Sequence, residues 1–252
     1  MPCSWRAAML NSPLKKSVVS APWAVLCDFD GTISVEDATD VLLERFGQPG
    51  WQVLEENWRS GRISSRQCMQ GQIGLLDVSK EELDEQIDEF RIDPDFPAFV
   101  RAVQRMGWNV SIVSDGLDYS IHRILAQYGM DDLAVYANHL VQTGPRSWRL
   151  DSPCAATCCR IDSGTCKCAC AQREQSAQIN RQRVLLIGDG ASDFCAAENA
   201  DYVFAKHRLI EHCRTHNIHH VPIVGFADAI NMLPALMDKP TKFPQPLYSA
   251  LE

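Results

Sequence analysis

The stretch Val25-Leu26-Cys27-Asp28-Phe29-Asp30-Gly31-Thr32 decides the fold of this 252-residue chain. Its apolar first part, Ala24 to Cys27, predicts a strand buried on both faces, as in parallel sheets. Asp28 and Asp30 follow, and alternation along a strand predicts that both carboxylates lie on one side, at its carboxyl end. Ligands of open α/β sheets bind at that end. The stretch therefore predicts a ligand site, although a solvated Asp-Gly turn also fits these residues taken alone.

The rest of the chain divides into two patterns. Helical periodicity and the capping-box pattern at Ser79 to Glu82 predict a small all-helical unit over residues 35–90. From residue 94 onward, helices alternate with short apolar strands. We therefore predict an α/β fold, a doubly wound, mostly parallel, Rossmann-like sheet with a small helical cap inserted after the first strand. The predicted catalytic core comprises residues 23–34 and 91–240, and residues 1–22 form a flexible tail.

Composition and charge narrow the classes of partner. The net charge of −8 argues against nucleic acid and against anionic membrane surfaces as partners. No apolar run approaches the ~20 residues that span a bilayer, and residues 1–22 lack the apolar core of a signal peptide. We expect a cytoplasmic monomer or homodimer whose eleven cysteines are reduced thiols by default.

Two further predicted strands end in polar, glycine-containing loops, at residues 114–116 and 188–193. If these strands are parallel neighbours of the first, all three loops meet at one edge of the sheet. Carboxylates packed that closely need a cation, and a divalent metal favours their ionised forms. Mg²⁺ prefers such oxygen ligands. The predicted ligands at this stage are Asp28, Asp30 and Asp189.

The same edge is suited to an anionic ligand. Backbone N–H groups beside helix starts and the Ser114 hydroxyl would receive phosphate oxygens. A positive side chain is still needed among these carboxylates, and Lys167 is the candidate.

Taken together, these motifs are similar to those of haloacid dehalogenase-type phosphatases. That family carries D-x-D-G-T, then Ser or Thr at a strand end, then a lysine, then G-D-x-x-x-D. All four occur here in that order and cover residues 23–205. The resemblance implies a Mg²⁺-dependent phosphomonoesterase that acts on a small phosphorylated metabolite.

The resemblance also implies roles for three catalytic residues. Asp28 attacks phosphorus and forms an aspartyl-phosphate. Asp30 protonates the leaving oxygen and then activates water, so its environment must raise its pKa relative to that of Asp28. Lys167 neutralises charge on the nucleophile and on the phosphoryl group.

Binding residues follow from the same motifs. Ser114 would hydrogen-bond the phosphoryl group, within a substrate-binding loop that includes Asp115 and Gly116. Asp193 would support either the metal shell or Lys167. The full set of metal ligands that the resemblance implies is Asp28, Asp30, Asp189 and Asp193.

Two features concern the branch of the family. The position of the helical insert resembles the phosphoserine-phosphatase branch, in which a Glu near the place of Asp37 meets the substrate amine. Asp37 here would either contact substrate or cap the first helix of the insert. The cysteines around Lys167 look like those of methionine-salvage phosphatases, which act on 2-hydroxy-3-keto-5-methylthiopentenyl-1-phosphate. Phosphoserine phosphatase and a non-catalytic metal- or partner-binding module are the alternatives.

The cysteine-rich stretch fits three interpretations. Six cysteines lie in the segment from Cys154 to Cys170. The methionine-salvage phosphatases usually carry the pattern C-G-x-C-K, and here residues 160–165 lengthen its spacing. The group could bind zinc or another soft metal, form a free-thiol loop, or take part in redox regulation. If Lys167 is misaligned with the motif lysine, Arg160 and Arg173 are the nearby substitutes.

Overall fold

The structure is a computed structural model that describes residues 23–176 and 182–237. The predicted tail at 1–22 and the predicted end of the core at 238–240 lie outside these ranges. The described residues form one seven-stranded sheet in the order β4-β3-β2-β1-β5-β6-β7. Its strands are β1 (Trp23–Cys27), β2 (Asn109–Leu117), β3 (Ala134–Gln142), β4 (Trp148–Asp151), β5 (Arg183–Gly188), β6 (Tyr202–Ala205) and β7 (His220–Pro222).

Strand β1 lies at the centre of the sheet and runs parallel to both neighbours. Leu26 is level with Ser111 of β2 and with Leu186 of β5. The predicted parallel arrangement of the three motif-bearing strands is therefore confirmed. Among the described strands, only β4 is antiparallel to its neighbour, because it returns from β3 through a short hairpin. It forms one edge of the sheet.

Helices cover both faces of the sheet, as a doubly wound fold requires. They are α1 (Ala38–Phe46), α2 (Trp51–Arg59), α3 (Ser65–Gly74), α4 (Lys80–Ile87), α5 (Phe96–Arg105), α6 (Asp118–Gln127), α7 (Lys167–Ser176), α8 (Phe194–Ala197), α9 (His207–Thr215) and α10 (Phe226–Met237). Val25 packs in the core shared with α5, α6 and α10, whereas Leu26 faces the core shared with α7, α8 and α9. This burial on both faces explains why the β1 sequence is apolar without interruption.

Helices α1 to α4 follow β1 in the chain, and α1, α3 and α4 begin at side-chain caps. The predicted capping box is present at α4, where the Glu82 N–H donates to Ser79 Oγ at 3.2 Å. A second box, formed by Ser64 and Gln67, begins α3. Each cap satisfies backbone N–H groups that the first turn of a helix leaves free. Leu83 and Ile87 then pack into the same core as Val25, so the insert and the sheet share one apolar interior.

Helix α7 and strand β7 were not predicted from the sequence. The residues of α7 are cysteines, alanines and polar residues, so the segment shows no amphipathic stripe. Strand β7 has only three residues, and neither of its first two is fully buried. Both elements depend on contacts with distant segments, which a local pattern does not record.

The order of strands defines a switch point beside β1. The chain passes from β1 to β2 and β3 on one side, and from β5 to β6 and β7 on the other. A crevice therefore forms between the carboxyl ends of β1 and β5. Asp28 follows β1 and Asp189 follows β5, so both aspartates lie at this crevice.

Candidate active site

A tight turn follows β1 and positions its two aspartates. The N–H groups of Thr32, Ile33 and Ser34 converge on the carbonyl oxygen of Phe29 at 3.2, 2.8 and 2.9 Å. Gly31 occupies the left-handed region with φ of 69°, where a side chain would be strained. Because the strand ends before Asp28, alternation along β1 does not set the position of Asp30. The turn sets it instead.

Asp28 and Lys167 form a buried ion pair. Asp28 is 5% exposed and Lys167 is 2% exposed. Lys167 Nζ lies 2.6 Å from Asp28 Oδ2 and 2.7 Å from Asp193 Oδ1, and it donates to Ser192 Oγ at 2.9 Å. Burial alone would lower the pKa of Lys167, but the charges of Asp193 and Asp28 outweigh it and raise that pKa. The lysine is therefore a fixed cation between two carboxylates.

Asp193 organises the loop after β5. Its Oδ2 accepts the N–H groups of Asp189 at 3.0 Å and Gly190 at 3.2 Å, while Oδ1 faces Lys167. Thr32 Oγ1 donates to Asp189 Oδ1 at 3.2 Å, which joins this loop to the turn after β1. The side chain of Asp193 thus fixes both the lysine and the backbone next to Asp189.

Three of these carboxylates could hold a metal ion together. Ligand oxygens of Asp28, Asp189 and Asp193 lie within 4.8 Å of one another. Burial, followed by the charge of Asp193, raises the pKa of both Asp28 and Asp189. Such mutual repulsion is relieved when a cation binds. The donor set consists of carboxylate oxygens, which fits a hard divalent cation such as Mg²⁺.

Asp30 lies in a different environment from Asp28. Its Oδ1 accepts the Ala38 N–H at 2.9 Å, and Ser114 Oγ lies 3.5 Å from its Oδ2. Burial and the nearby charge of Asp37 raise the pKa of Asp30 to about 8. This carboxyl group thus holds a proton near neutral pH, as a general acid must. It is not one of the three carboxylates that share the candidate metal position.

The loop at the end of β2 brings Ser114 and Gly116 to the site. The Gly116 N–H donates to Ser114 Oγ at 3.0 Å, which orients the hydroxyl beside Asp30. A Cβ atom added to Gly116 would collide with the Asp30 carboxylate and would lie 3.2 Å from Ser114 Oγ. Glycine is thus required here by the close approach of two chain segments.

We expect Gly116→Ala to lower turnover of a phosphate ester by at least about tenfold, because the new methyl group displaces Asp30 and Ser114. Gly74→Ala is the matched control, since its Cβ atom would meet no atom within 4 Å. Steady-state kinetics with p-nitrophenyl phosphate measure both variants. Equal turnover by the two variants would contradict the close approach.

Asp115 contacts three other segments of the protein. Its Oδ1 accepts the Thr165 N–H at 2.8 Å, and its Oδ2 accepts from Ser65 Oγ at 3.1 Å. Asn138 Nδ2 donates to the Asp115 carbonyl oxygen at 2.6 Å. The side chain predicted to bind substrate therefore also connects α3 with the segment two residues before Lys167.

Asp37 caps α1, where its Oδ1 accepts the Asp40 N–H at 3.0 Å. Its charge also contributes to the raised pKa of Asp30, which places Asp37 close to the site. The structure shows the predicted helix cap, and contact of Asp37 with substrate stays a prediction.

The two substitutes for the motif lysine lie elsewhere. Arg160 pairs with Glu198, and the guanidinium of Arg173 lies 5.6 Å from the centre of the Tyr136 ring. Lys167 is the basic residue that contacts Asp28.

Two residues near the site were missed by sequence reasoning. Lys206 is 8% exposed, and its Nζ donates to the carbonyl oxygen of Thr32 at 3.1 Å. It follows β6 directly, so the rule that polar residues at strand ends form the site could have identified it. Asn138, which is fully buried, lies within β3, and no local pattern distinguishes it.

Comparison with known proteins identifies the family of this chain. The haloacid dehalogenase-like hydrolase family model matches residues 25–198. The chain belongs to this family, and the resemblance predicted from the four motifs is confirmed. The prediction of a phosphomonoesterase of the haloacid dehalogenase type is confirmed as well.

Individual relatives include two bacterial enzymes named 2-hydroxy-3-keto-5-methylthiopentenyl-1-phosphate phosphatase. The one from Exiguobacterium sp. is 31% identical over 207 residues, which cover 81% of this chain and 94% of the relative. The one from Brevibacillus brevis is 30% identical over 222 residues, which cover 85% and 96%. Among solved structures, a phospho-aspartyl intermediate analogue of phosphoserine phosphatase aligns with a TM-score of 0.65 at 16% identity, over 86% of this chain and 99% of that one.

Proposed function

We propose that this protein is a Mg²⁺-dependent phosphatase that hydrolyses a small phosphate monoester through an aspartyl-phosphate on Asp28. The proposal is supported chiefly by one observation. The buried carboxylate of Asp28 lies 2.6 Å from Lys167 Nζ and within 4.8 Å of the ligand oxygens of Asp189 and Asp193. The charge of Lys167 opposes the burial that raises the pKa of Asp28 and thereby favours the ionised, nucleophilic carboxylate. The same cation stabilises a transferring phosphoryl group.

Each step of the proposed reaction is assigned to particular residues of this chain. Asp28 attacks phosphorus, and Lys167 balances the negative charge on both groups. Ser114 Oγ and backbone N–H groups of the loops receive the phosphoryl oxygens. Asp30, which is protonated near neutral pH, donates its proton to the leaving oxygen. It then accepts a proton from the water that hydrolyses the aspartyl-phosphate.

Replacement of Asp30 tests this division of roles. With p-nitrophenyl phosphate, whose leaving group departs without a proton, we expect Asp30→Asn to release a burst of about one nitrophenolate per enzyme. Slow turnover should follow, because no base activates water for the second step. Stopped-flow absorbance measures the burst, and a variant without a burst that turns over at the wild-type rate would contradict the role. Asp131→Asn, at an exposed turn, is the control.

A divalent metal completes the proposed site. Asp28, Asp189 and Asp193 would hold it, either directly or through water, and it would neutralise carboxylate and phosphate charge. We expect EDTA to abolish turnover and Mg²⁺ to restore it, while the far-UV circular dichroism spectrum stays unchanged. The spectrum should survive because the apolar cores do not depend on the carboxylates. Full activity after removal of divalent ions, or collapse of the spectrum, would contradict this prediction.

For the substrate, we propose 2-hydroxy-3-keto-5-methylthiopentenyl-1-phosphate, because relatives of about 30% identity over most of the chain carry that name. The similarity to phosphoserine phosphatase structures, at 16% identity, concerns the fold alone. A panel containing the enol-phosphate, phosphoserine and p-nitrophenyl phosphate tests the proposal. The kcat/KM for the enol-phosphate should exceed that for phosphoserine by at least about 100-fold. The reverse order would contradict it.

We further propose that residues 35–90 form a cap domain over the core, which comprises 23–34 and 91–240. Two hydrogen bonds near the site join the proposed cap to the core. Ser65 Oγ donates to Asp115, and the Ala38 N–H donates to Asp30. A cleft of about 420 Å³ is lined by residues of the 58–67 segment and by residues 160–162, and Arg66 pairs with Asp162 at 2.7 Å. A cap in this position can close over bound substrate and exclude water.

A further inference from the structure

Two cysteines meet where α7 packs against α8. Cys168 lies in the first turn of α7 and Cys195 lies in α8. Their Sγ atoms are 2.6 Å apart, and both residues are free thiols in the structure. This separation is shorter than the ordinary contact of two sulfur atoms and approaches the ~2.05 Å of a disulfide bond. Bond formation would therefore require only a sub-ångström movement.

The geometry favours a sulfur–sulfur bond over a shared metal ion. Two thiolates on one tetrahedral zinc, with bonds of ~2.3 Å, would lie roughly 3.8 Å apart. Within residues 23–176 and 182–237, the only three metal-ligating side chains with ligand atoms within 4.8 Å of one another are the active-site aspartates. Among the described cysteines, no three sulfur atoms therefore lie close enough together to meet this distance.

The position of this thiol pair connects it with the active site. Cys168 directly follows Lys167, and Cys195 is two residues after Asp193. Lys167 Nζ and Asp193 Oδ1 are 2.7 Å apart across the same interface. A covalent bond between the two cysteines would thus shift the segments that carry Lys167 and its partner Asp193.

We propose that Cys168 and Cys195 form an oxidation site, in which a disulfide bond between them displaces Lys167 and reversibly lowers turnover. The oxidant is a peroxide. Cys168 is partly exposed, whereas Cys195 is 8% exposed, so the peroxide reaches Cys168 first.

The reaction proceeds in two steps that together transfer two electrons from sulfur to the peroxide. In the first step, the Cys168 sulfur takes one peroxide oxygen, becomes a sulfenic acid and releases one water. In the second step, the Cys195 sulfur attacks the Cys168 sulfur, the S–O bond breaks, and the hydroxyl leaves with the thiol proton as a second water. Dithiothreitol reverses the change by thiol–disulfide exchange.

Peptide mapping by mass spectrometry provides the primary test. Trypsin places Cys195 alone on peptide 184–206, and places Cys168 with Cys170 on peptide 168–173. After the full chain is treated with one equivalent of hydrogen peroxide, we expect these two peptides to be joined. The mass of the joined species should be lower than the sum of the two reduced peptides by two hydrogen atoms. Fragmentation should locate the bond at Cys168. An unlinked Cys195, a bond to any other cysteine, or one zinc per chain that protects the thiols would overturn the proposal.

Turnover of p-nitrophenyl phosphate provides the second test. We expect the oxidised wild type to lose about tenfold in kcat, since small displacements of a catalytic group have large effects, and to recover with dithiothreitol. Cys168→Ser should lose both the cross-link and the sensitivity to peroxide. Cys158→Ser, at an exposed position, should keep both. A cross-linked enzyme with unchanged kcat would overturn the effect on Lys167. This test rests on the proposed phosphatase activity, whereas peptide mapping does not, so the two failures are distinguishable.

Discussion

Asp28→Asn is expected to abolish turnover, with a loss of at least about 10³-fold in kcat, because the amide cannot attack phosphorus. The substitution preserves the size of a side chain that is 5% exposed, so the fold should survive. It also removes one of three mutually repelling carboxylates, while Lys167 keeps Asp193 as a partner. Steady-state kinetics with p-nitrophenyl phosphate and saturating Mg²⁺ measure the effect.

The control for this variant is a carboxylate of the same type outside the site. Asp131→Asn, in an exposed turn, should retain turnover within about twofold. If Asp28→Asn retains a tenth or more of the wild-type kcat, another group is the nucleophile. Failure of the wild type on the whole phosphoester panel would instead favour a binding module that keeps this scaffold.

Lys167→Met is expected to lower kcat by at least about 100-fold, the loss typical for a group that stabilises transition-state charge. Methionine keeps most of the apolar stem but leaves Asp28 and Asp193 without their cation. Loss of one partner from a buried ion pair costs about 3–5 kcal/mol. We therefore also expect a lower melting temperature by differential scanning fluorimetry, and kinetics should be measured well below it.

Arg173→Met is the matched control for the lysine, because this arginine lies on the same helix and was a candidate for the same role. Its guanidinium packs over Tyr136, away from Asp28, so turnover should stay within about twofold. If Lys167→Met stays fully active and Arg173→Met does not, the wrong basic residue has been assigned.

Sequence reasoning predicted the candidate site because its residues follow strands. Asp28, Ser114 and Asp189 each lie at the end of a predicted apolar strand, and parallel strands bring their carboxyl ends to one edge. Lys167 has no such signal. It was proposed because the clustered carboxylates need a positive side chain, and the resemblance to a family motif supported it, since α7 lacks an amphipathic pattern. The same strand-end rule applied to β6 would have identified Lys206, which holds Thr32 through its carbonyl oxygen.

The sequence by itself determined the fold class, the order of the motifs and the family. An uninterrupted apolar strand, capping boxes and glycine-containing loops are local features, so they can be read without knowledge of distant contacts. The resemblance of the cysteine-rich stretch to methionine-salvage phosphatases likewise depends on a short sequence pattern and not on distant contacts.

The tertiary structure alone decided which groups contact one another. Asp30 owes its raised pKa to burial and to the charge of Asp37, and its position to a turn rather than to strand alternation. Asp115 is engaged by Ser65, which lies 50 residues away in the chain. The sulfur atoms of Cys168 and Cys195 are 2.6 Å apart, although 27 positions separate the two residues in the chain. Electrostatic and covalent chemistry depend on distance through space, and only packing of the folded chain sets those distances.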